Sequence, residues 1–463
     1  MINFNSNIEN LKKYKHIHMI GIGGISMSGI AEILHNWGVF VTGSDATRSK
    51  ITDKLSSHGI FVSIGHETNL VKKADLVVYT AAISSNDPEI IEARNNNIPT
   101  VERADFVGYL TRIYKNTIGI AGTHGKTTTT SMVSLCFIEA GLDPTIQVGA
   151  MLKQINGNHR VGNSDYFILE SCEYVESFLK FSPKSTIVLN IDNDHLDYFR
   201  DLNHIKNSFE KYVALLPYDG LLVLNADDEN CLSLRSNTDA KVVTFGIEND
   251  KANFIARNIV FDDRGFAKFD VYYNRNYFIE IKLSVTGLHN VLNALSCIAL
   301  CTEYGLNKYD IKSALLKFTG ANRRFELVGS YQNIDIYDDY AHHPTEILAT
   351  AKALKNKKYR QSWIIFQPHT YSRTKNLLDD FAEVLTNFDN IIITDIYAAR
   401  EKNTYNISSQ DLINKIHSLG KSAVYIPSFD DIARFIRERA CPHDIVLTMG
   451  AGTVTEIGRK ILN

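Results

Sequence analysis

The chain has only nine prolines in 463 residues, and no repeat or low-complexity stretch interrupts it. No run of 18 apolar residues occurs, which excludes a transmembrane helix and predicts no membrane insertion. The opening stretch MINFNSNIENLKKYKHIHMI has no apolar core followed by a cleavage site, so secretion is not expected. Six cysteines (Cys136, Cys172, Cys231, Cys297, Cys301, Cys441) are scattered without CxxC spacing. They predict neither a zinc site nor a disulfide framework, and Cys297 and Cys301, four apart in an apolar helical run, read as core packing. These absences place the protein in the reducing cytoplasm. The formal net charge is −3, so no basic field invites a nucleic-acid partner.

What remains is a globular composition, 44% hydrophobic and 22% charged, in a chain long enough for two to four domains. From residue 15 to 112, β-rich runs (HIHMIGIG, VFVTGSD, HGIFVSIG, ADLVVYTAAI) alternate with helical stretches such as SMSGIAEILHNWG. That alternation predicts a parallel, doubly wound α/β sheet. A second α/β segment opens near residue 116 with NTIGIAG and runs to the helix GLHNVLNALSCIALCTEYG. A third begins near Thr319 and continues through IDIYDDYA, SWIIFQP, NIIITDIY and DIVLTMGAG. The expected boundaries are 1–112, 113–318 and 319–463.

The stretch GIAGTHGKTTTT resembles a phosphate loop that has been shortened. The usual pattern G-x-x-x-x-G-K-[ST] calls for glycine where this chain has Ile120, leaving Gly122, Thr123, His124, Gly125, Lys126, Thr127 and Thr128. Two glycines allow a tight turn, and the following helix presents its positive end to a phosphate. Lys126 suits the outer phosphates, and the Thr127 hydroxyl suits Mg²⁺. A glycine turn alone explains neither.

Two later strand ends bring acids: Glu170 with Glu173 close behind, and Asp192, Asp194 and His195 in IDNDHLDYF. Past strand C-termini such groups face the ligand crevice, where Mg²⁺ needs few protein ligands. Asn290 and Asn293 share a helix face and suit a purine edge or ribose, or equally a helix cap or a core amide. Arg323 and Arg324 suit a transferring phosphate, or a surface pair. Near the N-terminus, Gly21, Gly23, Gly24 and Ser26 form nearly G-x-G-x-x-G, followed by Asp45 at the end of VFVTGSD. Alone, that would suggest a nicotinamide dehydrogenase, but such an enzyme would leave Lys126 idle.

In combination these residues resemble the Mur ligase family. The stretches that carry the resemblance are HMIGIGGISMSGIAEIL, VTGSD, GTHGKTTT, IDNDHLDYF, GLHNVLNA, NRRFE, DDYAHHPTEI, FQPHTYSRT and GAGT, in the family's order from residue 18 to about 453. The shortened G-x-x-G-K-T loop is itself characteristic of these ligases. The resemblance implies an N-terminal Rossmann-like domain for a UDP-sugar, a central P-loop ATPase and a Rossmann-like C-terminal domain for an amino acid. It implies ATP-dependent joining of L-alanine to the lactyl carboxylate of UDP-N-acetylmuramate through an acyl phosphate, with Mg²⁺ or Mn²⁺.

By the same resemblance, Lys126, Glu170, His195 and Arg324 are expected to be catalytic, with Thr127, Glu170 and His195 as metal ligands. Asn290, Asn293 and Asp339 are expected at ATP. His343, His369 and Arg373 surround the amino acid, and Arg373 is the candidate partner for its carboxylate. Gly21, Gly23, Gly24, Ser26, Asp45, His66, Thr80 and Ala81 are expected to line the UDP-sugar crevice. Some family members have ESD where this chain has Glu173-Tyr174-Val175, and an arginine where it has Thr370. No motif marks a carbamoylated lysine, although Lys206 and Lys211 follow His195. A murein tripeptide ligase is the alternative within the family. A folylpolyglutamate synthetase lacks the N-terminal domain.

Overall fold

The computed structural model describes residue 11 and residues 13–195, 198–399 and 401–463. By internal contacts the chain forms two compact units: Met1–Asp192, Leu202–Phe245 and Ser296–Ile311 make the first, and Asn193–Asp201, Gly246–Leu295 and Lys312–Asn463 the second. Among the described residues no helix is long and apolar enough to cross a membrane.

The first unit contains a five-stranded parallel sheet in the order Phe61–Ile64, Phe40–Asp45, His16–Ile20, Leu76–Tyr79, Thr100–Glu102. The chain order reverses at His16–Ile20, which opens a crevice at the carboxyl ends of that strand and Leu76–Tyr79. Gly21–Ser26 and Thr80–Ala81 leave those two ends.

A further run of strands follows in the order Lys241–Gly246, Leu221–Asn225, Ser185–Val188, Asn116–Ala121, Tyr166–Glu170, Thr145–Leu152, Gly157–Arg160. All pairs are parallel except the last. Ile118, Ile120, Ile168, Ile187, Leu222 and Val223 are wholly buried, as strands covered on both faces require. The helix Lys126–Glu139 behind Asn116–Ala121 is buried nearly all round. Two of its buried hydroxyls bond back along the helix: Thr130 Oγ1 donates to Lys126 O and Ser131 Oγ to Thr127 O, both at 2.8 Å.

In the second unit, Phe254–Phe261, Phe266–Tyr273 and Asn276–Thr286 make an antiparallel meander. A mostly parallel sheet runs Glu326–Tyr331, Ile334–Asp339, Ile445–Met449, Ser362–Phe366, Asn390–Ile393, Ala423–Tyr425, with only the first pair antiparallel. Alternate residues divide its core. Ile364, Phe366 and Leu447 pack on one face with Ile347, Phe381 and Leu412, while Trp363, Ile365 and Val446 pack on the other with Ile432, Ile436 and Ile457. The expected α/β class is the one observed.

Candidate active site

The strand Asn116–Ala121 delivers the chain to Gly122 at φ 130° and Gly125 at φ 85°, backbone positions that favour glycine. A Cβ on Gly122 would also meet Leu189 Cβ at 3.0 Å. Asn190, at the end of the neighbouring strand, braces the loop. His124 N donates to Asn190 Oδ1 at 2.7 Å, Asn190 Nδ2 donates to His124 O at 3.1 Å, and Thr123 N donates to Asn190 O at 3.0 Å. Asp192 adds a contact from its carboxylate to His124 Nε2 at 3.2 Å. Sequence reading missed Asn190; its signal is an amide at the end of IVLN.

Lys126 Nζ folds back over the loop and donates to Gly122 O at 2.6 Å, to Thr123 O at 2.9 Å and to Glu173 Oε2 at 3.0 Å. Burial opposes its charge, yet the Glu173 carboxylate prevails and holds the lysine pKa above its ordinary value. Glu173, 2% exposed at its side chain, is therefore the carboxylate beside the loop lysine. Glu170 Oε1 accepts from Gly149 N, and its charge also acts on Lys126. Thr127 follows Lys126 and is 5% exposed. Hydroxyl and carboxylate oxygens of this kind are hard donors that fit Mg²⁺, so the set present suits the ion the family uses.

At the N-terminal crevice, Gly21 takes φ 78° with its Cα against Thr80, where a Cβ would lie 2.6 Å from Thr80 Cγ2. Asp45 closes the glycine loop, accepting from Gly23 N at 2.9 Å and Thr47 N at 3.2 Å. Ser26 Oγ accepts from Gln147 Nε2 at 2.7 Å. Beneath the loop lies Glu89, which sequence reading also missed. It touches His18 Nε2 at 3.1 Å, accepts from Ser44 Oγ at 2.7 Å and from Glu67 N at 3.1 Å, and meets His66 Nδ1 at 3.4 Å. Burial opposes its ionisation, but the bonds from His18, Ser44 and Glu67 overcome that and hold its pKa down at about 2.

The second unit gathers another polar cluster. His195, at φ 54°, belongs to it, and His195 N donates to Asp194 Oδ1 at 2.7 Å. Arg373 Nη2 donates to the same Asp194 Oδ1 at 3.2 Å, and Arg373 Nη1 contacts His369 Nδ1 at 3.2 Å. Burial opposes the Asp194 charge, but His195 and Arg373 together hold its carboxyl well below the usual range. Burial, then His342 and Arg373, push His369 down to about 4, so its ring is neutral at pH 7. Thr370, beside it, holds φ 65° and ψ 146°, a conformation costly for a β-branched residue. His343 caps the helix Pro344–Leu354 through Nδ1.

The two arginines divide their work. Arg323 is structural: its Nε donates to Asp338 Oδ2 at 3.1 Å and its Nη2 to Gly450 O. Arg324 is 29% exposed, lies 5.3 Å over the Tyr340 ring and keeps a 3.8 Å contact with Glu346. Asp339 is turned inward. Its oxygens accept from Thr350 Oγ1 at 2.7 Å and Ala341 N at 3.0 Å, and burial pushes its pKa up to about 6. Asn290 Nδ2 donates to Thr286 O, and Asn293 Nδ2 to Asn290 Oδ1 at 3.1 Å, so the pair is linked on one helix face.

The Mur ligase family catalytic domain matches residues 16–115, the Mur ligase middle domain residues 120–301, and the Mur ligase glutamate ligase domain residues 323–452. A UDP-N-acetylmuramate–L-alanine ligase of Acetivibrio thermocellus is 49% identical over 97% of this chain and 96% of its own. Its namesake in Clostridium tetani is 48% identical over 98% and 99%. The crystal structure of a UDP-N-acetylmuramate-alanine ligase from Thermotoga maritima superposes with a TM-score of 0.82 at 30% identity, covering 97% of this chain and 98% of that one. A murein peptide ligase from Psychrobacter arcticus gives 0.72 at 25% identity over 97% and 98%. With a shortened phosphate loop built on Gly122 and Gly125, and relatives alike over nearly its whole length, the chain belongs to the Mur ligase family.

Proposed function

We propose that this protein is a cytoplasmic, ATP-dependent ligase of peptidoglycan precursor synthesis. It joins L-alanine to the lactyl carboxylate of UDP-N-acetylmuramate and yields UDP-N-acetylmuramoyl-L-alanine, ADP and phosphate. The observation that carries this reading is the near-full-length likeness, 49% identical, to a relative named for that reaction. The loop alone suits any ATP-dependent ligase.

The residues divide the work as follows. The loop Gly122–Thr128 and the start of helix Lys126–Glu139 receive the ATP phosphates, with the Thr123 and His124 N–H groups bracing the loop on Asn190, and Lys126 leaves Glu173 to meet the outer phosphates. Thr127, Glu170 and His195, with Glu173 as a further candidate, would hold Mg²⁺ or Mn²⁺, which would supply charge neutralisation for phosphoryl transfer. Asn290, Asn293 and Asp339 are the candidates to bind the nucleotide. The lactyl carboxylate oxygen attacks the γ-phosphorus and ADP leaves. The L-alanine amine then attacks the acyl carbon, phosphate departs, and the amine proton is taken up.

His369 stands beside Arg373 and is a candidate to surround the incoming amino acid. Arg373 holds the alanine carboxylate, with His343 close by in sequence to the same cluster. Arg324 stabilises the acyl phosphate. The Gly21–Ser26 loop and Thr80–Ala81 receive the UDP pyrophosphate; Asp45 shapes the loop, and His66 lines it. No protein nucleophile is needed, since positioning and charge suffice.

The test is release of phosphate from ATP. It should require both UDP-N-acetylmuramate and L-alanine. Release that needs the tripeptide L-alanyl-γ-D-glutamyl-meso-diaminopimelate in place of L-alanine would overturn the substrate assignment.

A further inference from the structure

Three of the six cysteines meet in the core of the first unit. Cys136 lies on Lys126–Glu139, the helix that begins with the phosphate-loop lysine. Cys297 and Cys301 lie one turn apart on Leu288–Glu303 and so share a face. All three are at 0% exposure. Cys136 Sγ is 3.5 Å from Cys297 Sγ, Cys297 Sγ is 3.9 Å from Cys301 Sγ, and all three sulfurs lie within 4.8 Å of one another.

These separations are those of a preformed trigonal site. A metal with bonds of about 2.3 Å to each of three sulfurs in a plane holds the sulfurs about 4.0 Å apart. The separations of 3.5 and 3.9 Å fall just short of that value, so an ion could enter with little movement of either helix. Among the described residues no fourth His, Cys, Asp or Glu joins the cluster. Zinc in structural sites takes four ligands, and hard cations want oxygen. Soft sulfur donors in threefold coordination select thiophilic cations, copper(I) foremost. The surroundings are dry: Phe137 stands edge-on to Tyr166 and Tyr304, with ring centres at 5.1 and 5.6 Å.

We propose that Cys136, Cys297 and Cys301 form a buried three-sulfur site for a soft thiophilic cation of the copper(I) class. Binding releases thiol protons to solvent and changes no oxidation state. An occupied site cross-links the phosphate-loop helix to Leu288–Glu303 and stabilises the fold by mass action.

The experiment uses the full-length, reduced protein under anaerobic conditions, with the exposed thiols removed (Cys172→Ser and Cys441→Ser). Copper(I) is offered from a coloured chelator. The background protein should withdraw one copper per chain, gain near-ultraviolet sulfur-to-copper absorption, show three sulfur neighbours by X-ray absorption, and melt at a higher temperature. Cys297→Ala and Cys301→Ala, each checked for folding by melting, should weaken the affinity by roughly 100-fold or more, beyond the loss usual for outer-shell partners. Cys231→Ala, buried outside the trio, should not. If the folded background protein leaves copper on the chelator, the cysteines are core packing and the proposal fails. It fails equally if Cys297→Ala and Cys301→Ala bind as the Cys231→Ala protein does.

Discussion

Lys126 Nζ lies 3.0 Å from Glu173 Oε2, so the lysine of the phosphate loop is held in place by a buried carboxylate while two loop carbonyls accept its remaining protons. The ion pair keeps the lysine charged, and the Glu170 carboxylate adds to the same effect. Glutamine variants separate the two acids as candidates for the metal. Lys126→Ala should lower turnover by several orders of magnitude while the protein stays folded. Glu170→Gln should raise the Mg²⁺ concentration needed for half-maximal rate more than Glu173→Gln does. Turnover measured against Mg²⁺ for both variants decides; an equal or reversed order would bring Glu173 to the metal.

Glu89 accepts from the hydroxyl of Ser44, whose carbonyl accepts from Gly21 N and Ile22 N, and its ionisation is linked to stability. Its pKa is about 2 in the fold against an ordinary 4.5, so its contribution is present above pH 4.5 and is lost as pH falls from there toward 2. The shift corresponds to about 3 kcal/mol. Glu89→Gln should therefore melt at a lower temperature at pH 7, and the gap to the wild type should close toward pH 3. Melting curves at both pH values provide the measurement.

Asp339 has the opposite sign. Its folded pKa is about 6 against an ordinary 3.8, so the protonated form is favoured in the fold. That contribution is complete below pH 3.8 and disappears as pH rises through 6. Asp339→Asn keeps an oxygen for the Ala341 N–H and cannot ionise. Relative to the wild type it should gain stability between pH 4 and 7, by about 2–3 kcal/mol. Chemical unfolding midpoints across that range would show a flat difference if burial did not disfavour the charge.

Arg373 joins Asp194 and His369 in the second unit. Arg373→Ala should raise the Michaelis constant for L-alanine far more than those for ATP and UDP-N-acetylmuramate. Equal effects on all three would make it a structural residue. Because a small pocket separates substrates differing by one methylene only about 10- to 200-fold, glycine and L-serine should be slow but measurable substrates.

Much of the fold was written locally. Alternating apolar strands and helices, and glycines placed where the backbone takes positive φ at 122 and 125, declare a phosphate loop to any reader of the chain. Lys126 and Thr127 needed only their neighbours to be recognised, because a loop's conformation and its ligand depend on adjacent residues. Arg324 came from a motif too, but only packing separates it from Arg323: one guanidinium is spent on Asp338 and Gly450, the other stays partly open.

Tertiary structure decided what distance along the chain conceals. That Glu173 bonds Lys126 while Glu170 accepts from Gly149 N depends on which way each side chain leaves the chain, and no spacing rule states that. Asn190 and Glu89 act through partners 66 and 71 residues away. Cys136 is separated from Cys297 by 161 residues. Sequence carries periodicity and loop chemistry because these arise from bonded neighbours. Which buried side chains share a dry pocket, and so which charges and sulfurs face one another, is set only when the strands and helices pack.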